Sequence, residues 1–209
     1  MFTKRSLYHM TPIENVPSIF RFGVLSRNLL SCLAHIGVKP RSIDNPDVNS
    51  RRSYIEIDGR SLHDFVPMYW TTHTPMQYHI TQSHKVIDED DLAFVVIEKK
   101  PLLLKAGVFT TSGNAARNDT RFYPGWDGEL ILDESVMASR RCYKTGKFRI
   151  KSAEVLFPDR LCPEYIQYVA VRTQRTREKL QRMIAGSKQC SHIQNLDEAV
   201  RVQSCFYIR

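Results

Sequence analysis

The sequence predicts an α+β fold in one domain over residues 1–209, and three patterns carry that prediction. Residues 93–97 form a continuous apolar run of strand length, the signature of a central strand buried on both faces. Residues 176–185 repeat apolar side chains at helical spacing, with Leu180, Met183 and Ile184 on one face. No stretch is rich enough in Gly or Ser to act as a linker and no internal repeat is visible, so strands and helices belong to one body.

Taken in order, Leu7-Tyr8-His9 reads as a short opening strand. Thr11-Pro12-Ile13-Glu14 matches a capping box with proline at the first helical position, but Pro17 lacks the amide that a continuing ladder needs. Residues 12–15 are therefore expected to make a single turn. Asn15 then caps a helix over residues 16–22, and Gly23 ends it. Residues 31–61 are polar, lack periodicity and carry Pro40, Pro46 and Gly59, which predicts a long irregular segment of the kind that forms a functional loop or lid.

Residues 62–78 predict an apolar strand whose tip carries the rings and hydroxyls of Tyr69-Trp70-Thr71-Thr72. Thr74-Pro75-Met76-Gln77 then starts a helix. Such a tip builds the wall of a pocket suited to a flat heterocycle with a polar edge. Asp88-Glu89-Asp90-Asp91 marks an acidic turn. Further strands are expected over residues 108–111, 130–132, 153–157 and 166–171, with a closing strand over 202–208.

Composition narrows the function classes. Hydrophobic residues make up 42% and charged residues 25%, as in ordinary soluble proteins, and no apolar run approaches a membrane span. Met1-Phe2-Thr3-Lys4-Arg5 leads into no signal-peptide core, so the expected location is the cytoplasm. Five scattered cysteines without a C-x-x-C pair read as reduced thiols, and no metal-ligand spacing appears around the histidines. The formal charge of +8 favours polyanions, of which nucleic acid is the commonest. No G-x-G-x-x-G, Walker-type phosphate loop or G-x-S-x-G is present, which argues against a Rossmann dehydrogenase, a P-loop ATPase and an α/β-hydrolase.

Several residues are candidates for chemistry. Glu154 lies inside the apolar run K-S-A-E-V-L-F-P, where strand alternation puts it on one face with Leu156 and opposite Ala153, Val155 and Phe157. It is either an ordinary solvated strand glutamate or a carboxylate at the floor of a cleft. Arg51-Arg52 is either a pair of surface cations or a guanidinium fork for phosphate or a base edge. His9, at a strand end, is either a structural hydrogen-bonding group or part of a ligand site near the amides that open the next helix. The polar run 113–120 reads as a plain connection. Residues 140–149 interleave arginines and lysines with Tyr143 and Phe148, the combination that single-stranded nucleic acid requires, unless they form only a solvated basic loop.

In register, the strings L-Y-H-M-T-P-I-E-N-V-P-S-I-F, P-D-V-N-S-R-R, L-H-D-F-V-P-M-Y-W, T-P-M-Q-Y and K-S-A-E-V-L-F-P resemble the DarT family of toxins. Those enzymes transfer ADP-ribose from NAD to bases in single-stranded DNA. The likeness runs over roughly residues 6–172. It implies an ADP-ribosyltransferase-like fold of two packed, mainly antiparallel sheets around an NAD cleft. It implies that His9, Met10 and Thr11 line the NAD site with Tyr69, and that Ser18 and Ser26 are further contacts. The catalytic arginine falls on Arg52, with Arg51 the adjacent alternative, and the catalytic glutamate on Glu154. The segment from Arg117 to Glu154 corresponds to the DNA-recognition loop. Residues expected at the DNA are Arg51, Trp70, Met76, Arg140, Arg141, Tyr143, Lys144, Lys147 and Arg149. The implied partner is a DarG-type antitoxin whose macrodomain removes the mark, and no metal is required. Two departures, Met68-Tyr69-Trp70 for the commoner Phe-Tyr-Phe and Thr74 for serine, bear on substrate detail, and thymine and guanine both remain open as the acceptor.

Overall fold

The structure, a computed structural model, describes residues 6–34, 39–140 and 148–208. Strand β1 (Ser6–Pro12) leads through a 3₁₀ turn at Ile13–Asn15 into α1 (Val16–Phe22), bounded where the prolines and Gly23 require. Gly23 sits at φ 81°, and a Cβ there would lie 2.0 Å from the Leu161 carbonyl oxygen, so only glycine ends this helix without strain. Asn15 does not cap α1 through its side chain. Its amide instead donates to Thr11 Oγ1 and the Arg41 carbonyl and accepts from the Arg41 amide.

After β2 (Val24–Leu25) and α2 (Arg27–Leu33), the segment expected to be irregular contains a helix, α3 (Pro46–Arg52). The Asn45 side chain accepts from the Asp47 and Val48 amides and Pro46 fills the first turn, so local capping sets the helix. No residue of α3 is buried, which is why it has no apolar period to read. Strands β3 (Glu56–Ile57) and β4 (Arg60–Ser61) form a small hairpin before β5 (Phe65–Tyr69). Thr74 caps α4 (Pro75–Tyr78) as expected. There follow β6 (Leu92–Glu98), β7 (Phe109–Thr111) and β8 (Phe122–Pro124).

The strand expected over 130–132 is instead the end of a 3₁₀ helix, Gly125–Ile131. Gly128 leaves no room for a Cβ beside Thr110, and Leu130 points into solvent, so this run packs as a tight turn. Short helices α5 (Glu134–Ala138) and α6 (Phe148–Lys151) precede β9 (Glu154–Pro158), β10 (Arg160–Leu161), β11 (Ile166–Val171) and α7 (Gln174–Ala185). Leu180 and Ile184 of α7 are buried and Met183 is half-buried. The closing strand is shorter and earlier than expected. It is β12 (Val200–Val202), reached through α8 (Leu196–Ala199), and Ser204–Phe206 is a 3₁₀ turn. The aromatic end of the chain plugs a core instead of pairing: Phe206 packs edge-on to Tyr8 and Phe94, and the Tyr207 hydroxyl donates to the Leu92 carbonyl.

The strand order is β12-β11-β6-β1-β5-β9-β7-β8, mainly antiparallel, with β11 and β12 parallel. β1 and β6 pair from Ser6↔Glu98 to Pro12↔Leu92, and β5 and β9 from Phe65↔Pro158 to Tyr69↔Glu154. Between β1 and β5 there is one bridge, Tyr8↔Tyr69. Two mainly antiparallel halves therefore splay from a single point. Alternation sends Leu7, Val66, Met68, Val95, Val155 and Phe157 into one large core with α1 and α7. The opposite faces carry two smaller clusters, Tyr8, Met10 and Phe94 with Ile43 and Ile80, and Phe65 and Leu156 with Leu62 and Ala115. Where the halves part, between these two clusters, lies a cleft.

Candidate active site

The cleft encloses about 700 Å³, a volume in the range that small-molecule sites use. His9, Met10 and Thr11 from β1, Ser18 from α1, Arg52 from α3, Tyr69 from β5, Met76 from α4 and Glu154 from β9 all line it. Elements far apart in sequence thus converge where the two halves separate. The segment 39–45 also lines it, fastened by the paired hydrogen bonds between Asn15 and Arg41 and by the buried Ile43.

At its floor the Arg52 Nη1 group lies 3.0 Å from Glu154 Oε2 and 3.3 Å from Oε1. The two side chains are 12% and 2% exposed, so this pair is held largely out of water. The Ala115 amide donates to Glu154 Oε1 at 3.1 Å. The Glu154 backbone amide donates to Thr111 Oγ1 at 2.8 Å, and that hydroxyl donates to the Gly113 carbonyl at 2.6 Å. Glu154 and Leu156 share the cleft face while Val155 and Phe157 enter the large core, as alternation required. Consecutive helical residues point about 100° apart, so only one arginine of the pair faces inward. Arg51 is exposed, with its Nε donating to the Asp47 carbonyl, and does not line the cleft.

His9 spans the gap that opens between β1 and β5. Its Nδ1 lies 3.0 Å from the Pro67 carbonyl, which assigns the proton to Nδ1 and leaves Nε2 as an acceptor. Burial pushes the imidazole below its usual titration range, against the opposing pull of the Pro67 carbonyl, and so favours this neutral form. The Tyr69 hydroxyl contacts Met76 Sδ at 3.1 Å. Burial first, and the neighbouring Glu154 carboxylate second, raise this phenol far above its ordinary value, so Tyr69 stays neutral.

Several expected site residues do not line the cleft. Trp70 is wholly buried in the large core, with the Lys99 ammonium 5.5 Å from its ring, and offers no face to a base. Tyr69, the last residue of β5, faces the cleft, and Trp70 immediately after it turns into the core on the other side. Ser26 is also buried and does not line the cleft; its hydroxyl caps α2 by accepting from the Leu29 amide. Arg140 and Arg149 are exposed, and Arg149 pairs with Asp119 at 2.5 Å. Arg141, Tyr143, Lys144 and Lys147 lie outside the described residues.

Other lining and supporting groups were not singled out from sequence. Asn45 Nδ2 lies 3.3 Å from His79 Nε2 at the cleft wall, and the pair Asn45-Pro46 was a readable cap signature. Ala115 contributes a backbone amide, which its residue type does not advertise. Thr111 looked like one more strand residue. Among the described residues no group of His, Cys, Asp and Glu is placed to hold a metal ion, and no helix is long and apolar enough to cross a membrane.

Both the sequence and the fold have known relatives. A family model described as "DarT: ssDNA thymidine ADP-ribosyltransferase, DarT" matches residues 8–207. A DNA ADP-ribosyl transferase–DNA ADP-ribosyl glycohydrolase fusion protein of Thermosipho africanus is 29% identical over 188 residues, covering 86% of this chain and 46% of that protein. A DNA ADP-ribosyl transferase of a Thermus species is 26% identical over 185 residues, covering 77% of this chain and 85% of that one. The chain thus spans about half the length of the Thermosipho relative and most of the Thermus one. Among solved structures, Thermosipho africanus DarTG in complex with ADP-ribose superposes with a TM-score of 0.78 at 26% identity, over 98% of this chain and 51% of that chain. Thermus sp. 2.9 DarT in complex with ADP-ribosylated ssDNA shares the fold with a TM-score of 0.80 at 23% identity, over 97% and 96% of the two chains.

Proposed function

The chain belongs to the DarT family, and on that premise we propose that it is an NAD-dependent transferase that places ADP-ribose on a thymine base of single-stranded DNA. Residues 1–209 act as one transferase domain. The observation that carries this reading is the Arg52–Glu154 pair at the floor of a cleft large enough for a dinucleotide.

In the reaction, the bond between the nicotinamide nitrogen and C1′ of the ribose breaks, and nicotinamide leaves with the electron pair. Positive charge builds on the sugar, as in other glycosyl transfers. Glu154 stabilises that charge more in the transition state than in the ground state. A ring nitrogen of the base then bonds to C1′, and its proton passes to the Glu154 carboxylate. Arg52 holds the base or a phosphate, and its guanidinium keeps the carboxylate in place until substrate arrives. His9, Met10, Thr11 and Ser18 line the NAD side of the cleft, and Tyr69 packs against the nicotinamide. A neutral His9 presents Nε2 as an acceptor for a ribose hydroxyl.

The family's description supports thymidine as the acceptor. The Thermosipho relative, described as a fusion with a DNA ADP-ribosyl glycohydrolase, supports a DarG-type macrodomain antitoxin as the partner that removes the mark. NAD and single-stranded DNA meet in the cytoplasm, where we place the reaction. The test is mass spectrometry of single-stranded oligonucleotides, each with one thymine or one guanine, after incubation with NAD and the chain. An ADP-ribose adduct on the thymine oligonucleotide is expected. An adduct on guanine alone overturns the choice of base, and modification of RNA or protein without DNA overturns the substrate class.

A further inference from the structure

The turn that follows α3 displays an aromatic ring that the fold does not use. Tyr54 is 85% exposed, two residues beyond Arg52. Its backbone is nevertheless well fixed. The Tyr54 amide donates to the Arg51 carbonyl and the Ile55 amide to the Arg52 carbonyl, each at 3.3 Å. Ser53 Oγ donates to the Ser50 carbonyl at 2.7 Å. The Leu62 amide donates to the Ile55 carbonyl at 2.8 Å, and the Ile55 side chain packs on the cluster that contains Leu62, Leu156 and Ala115. The same cluster thus borders the loop whose amide holds Glu154. A ring left in water on a backbone tied down at both ends is a displayed surface, not a frayed one.

Its neighbours give the ring a chemical context. Arg52 turns inward to Glu154, while Arg51 faces solvent and, among the described residues, only its Nε is engaged, by the Asp47 carbonyl. One turn of chain therefore presents, in succession, an exposed guanidinium, the arginine of the cleft floor and an exposed ring. A cation that meets phosphate beside a ring that stacks on a base is the pairing that single-stranded nucleic acid requires.

We propose that Tyr54 is a stacking platform for the nucleotide that flanks the modified base, with Arg51 on the adjoining phosphate. This deepens the reading of the chain as a DNA-directed transferase and rests on it. Stacking on a ring is tolerant of base identity, so Tyr54 supplies grip on the strand and not sequence preference.

Equilibrium binding of a fluorescein-labelled single-stranded oligonucleotide to the full chain tests the assignment, with NAD binding measured in parallel. Tyr54→Ala is expected to weaken oligonucleotide binding about tenfold, Tyr54→Phe to retain it, and both to bind NAD as the parent does. An abasic site moved along the oligonucleotide should weaken binding to the parent at one position and leave Tyr54→Ala indifferent there. If Tyr54→Ala binds the oligonucleotide as the parent does, or loses NAD binding to the same degree, the proposal is wrong. If the parent itself does not bind single-stranded DNA, the functional reading fails and this inference with it. Parent binding with an unaffected Tyr54→Ala removes this inference alone.

Discussion

Arg52 and Glu154, 102 positions apart in sequence, meet at 3.0 Å with both side chains largely out of water, and among the described residues the Ala115 backbone amide is the carboxylate's other partner. Substituting either side chain separates charge from shape. Glu154→Gln keeps the volume and the Ala115 contact but removes the charge that the proposed mechanism sets against the developing cation. Transfer to DNA should fall by about 100-fold or more, with NAD affinity changed far less. Arg52→Ala leaves the carboxylate buried with one amide, and urea unfolding should show a loss of about 3 kcal/mol besides the loss of activity. Near-normal single-turnover rates in Glu154→Gln would remove this carboxylate from the chemistry.

Thr111 supports that carboxylate from behind. Its hydroxyl accepts from the Glu154 amide and donates to the Gly113 carbonyl, so it joins β9 to the loop that carries Ala115. Thr111→Val keeps the branched shape and deletes both hydrogen bonds at a fully buried position. A destabilisation of about 2 kcal/mol is expected, together with a lower kcat and an oligonucleotide KM near that of the parent. Thr111→Ser should restore most of both. Equal behaviour of the valine and serine variants contradicts a role for the hydroxyl.

Where sequence and structure agree, the deciding physics is local. The ends of α1 follow from Pro17 and Gly23, and the placement of Glu154 beside Leu156 follows from a two-residue period. Where they part, tertiary packing decides. α3 has no fully buried apolar residue, so its sequence has no apolar stripe, and its one readable signal is Asn45 before Pro46. The run at 130–132 is apolar enough for a strand, yet Gly125 and Gly128 fold it into a tight turn. The choice between Arg51 and Arg52 depended on the rotation of a helix not expected to exist. Thr111 and Ala115 act through a hydroxyl and an amide whose partners lie about 40 residues away, and no local pattern encodes such a contact.

Tyr69 ends β5 facing the cleft, and Trp70 just beyond it is buried in the large core. Trp70→Phe creates a void in the large core and should cost about 2 kcal/mol in urea unfolding, with oligonucleotide affinity unchanged. Tyr69→Ala opens the cleft wall beside Met76 and Glu154 and should weaken NAD binding with less effect on folding. Oligonucleotide binding that tracks the Trp70 ring would return that ring to the DNA surface.

The pH dependence of stability follows from His9. Burial lowers its folded titration point, so the unfolded chain takes up this proton first as pH falls. The contribution of the neutral ring is therefore complete above the unfolded value of about 6.5 and is lost as pH drops from there toward the lower folded value. His63 and His79 shift in the same direction, chiefly through burial, with Arg27 and Arg52 next for His63 and His84 next for His79. Unfolding by urea at about pH 7.5 and about pH 5.5 should show the parent losing stability at the lower pH. His9→Gln, which cannot take up that proton, should lose less across the same interval. If the two chains lose stability equally, His9 is not the half-buried neutral group at the junction of the sheets, and its lone pair is not held ready for a ribose hydroxyl.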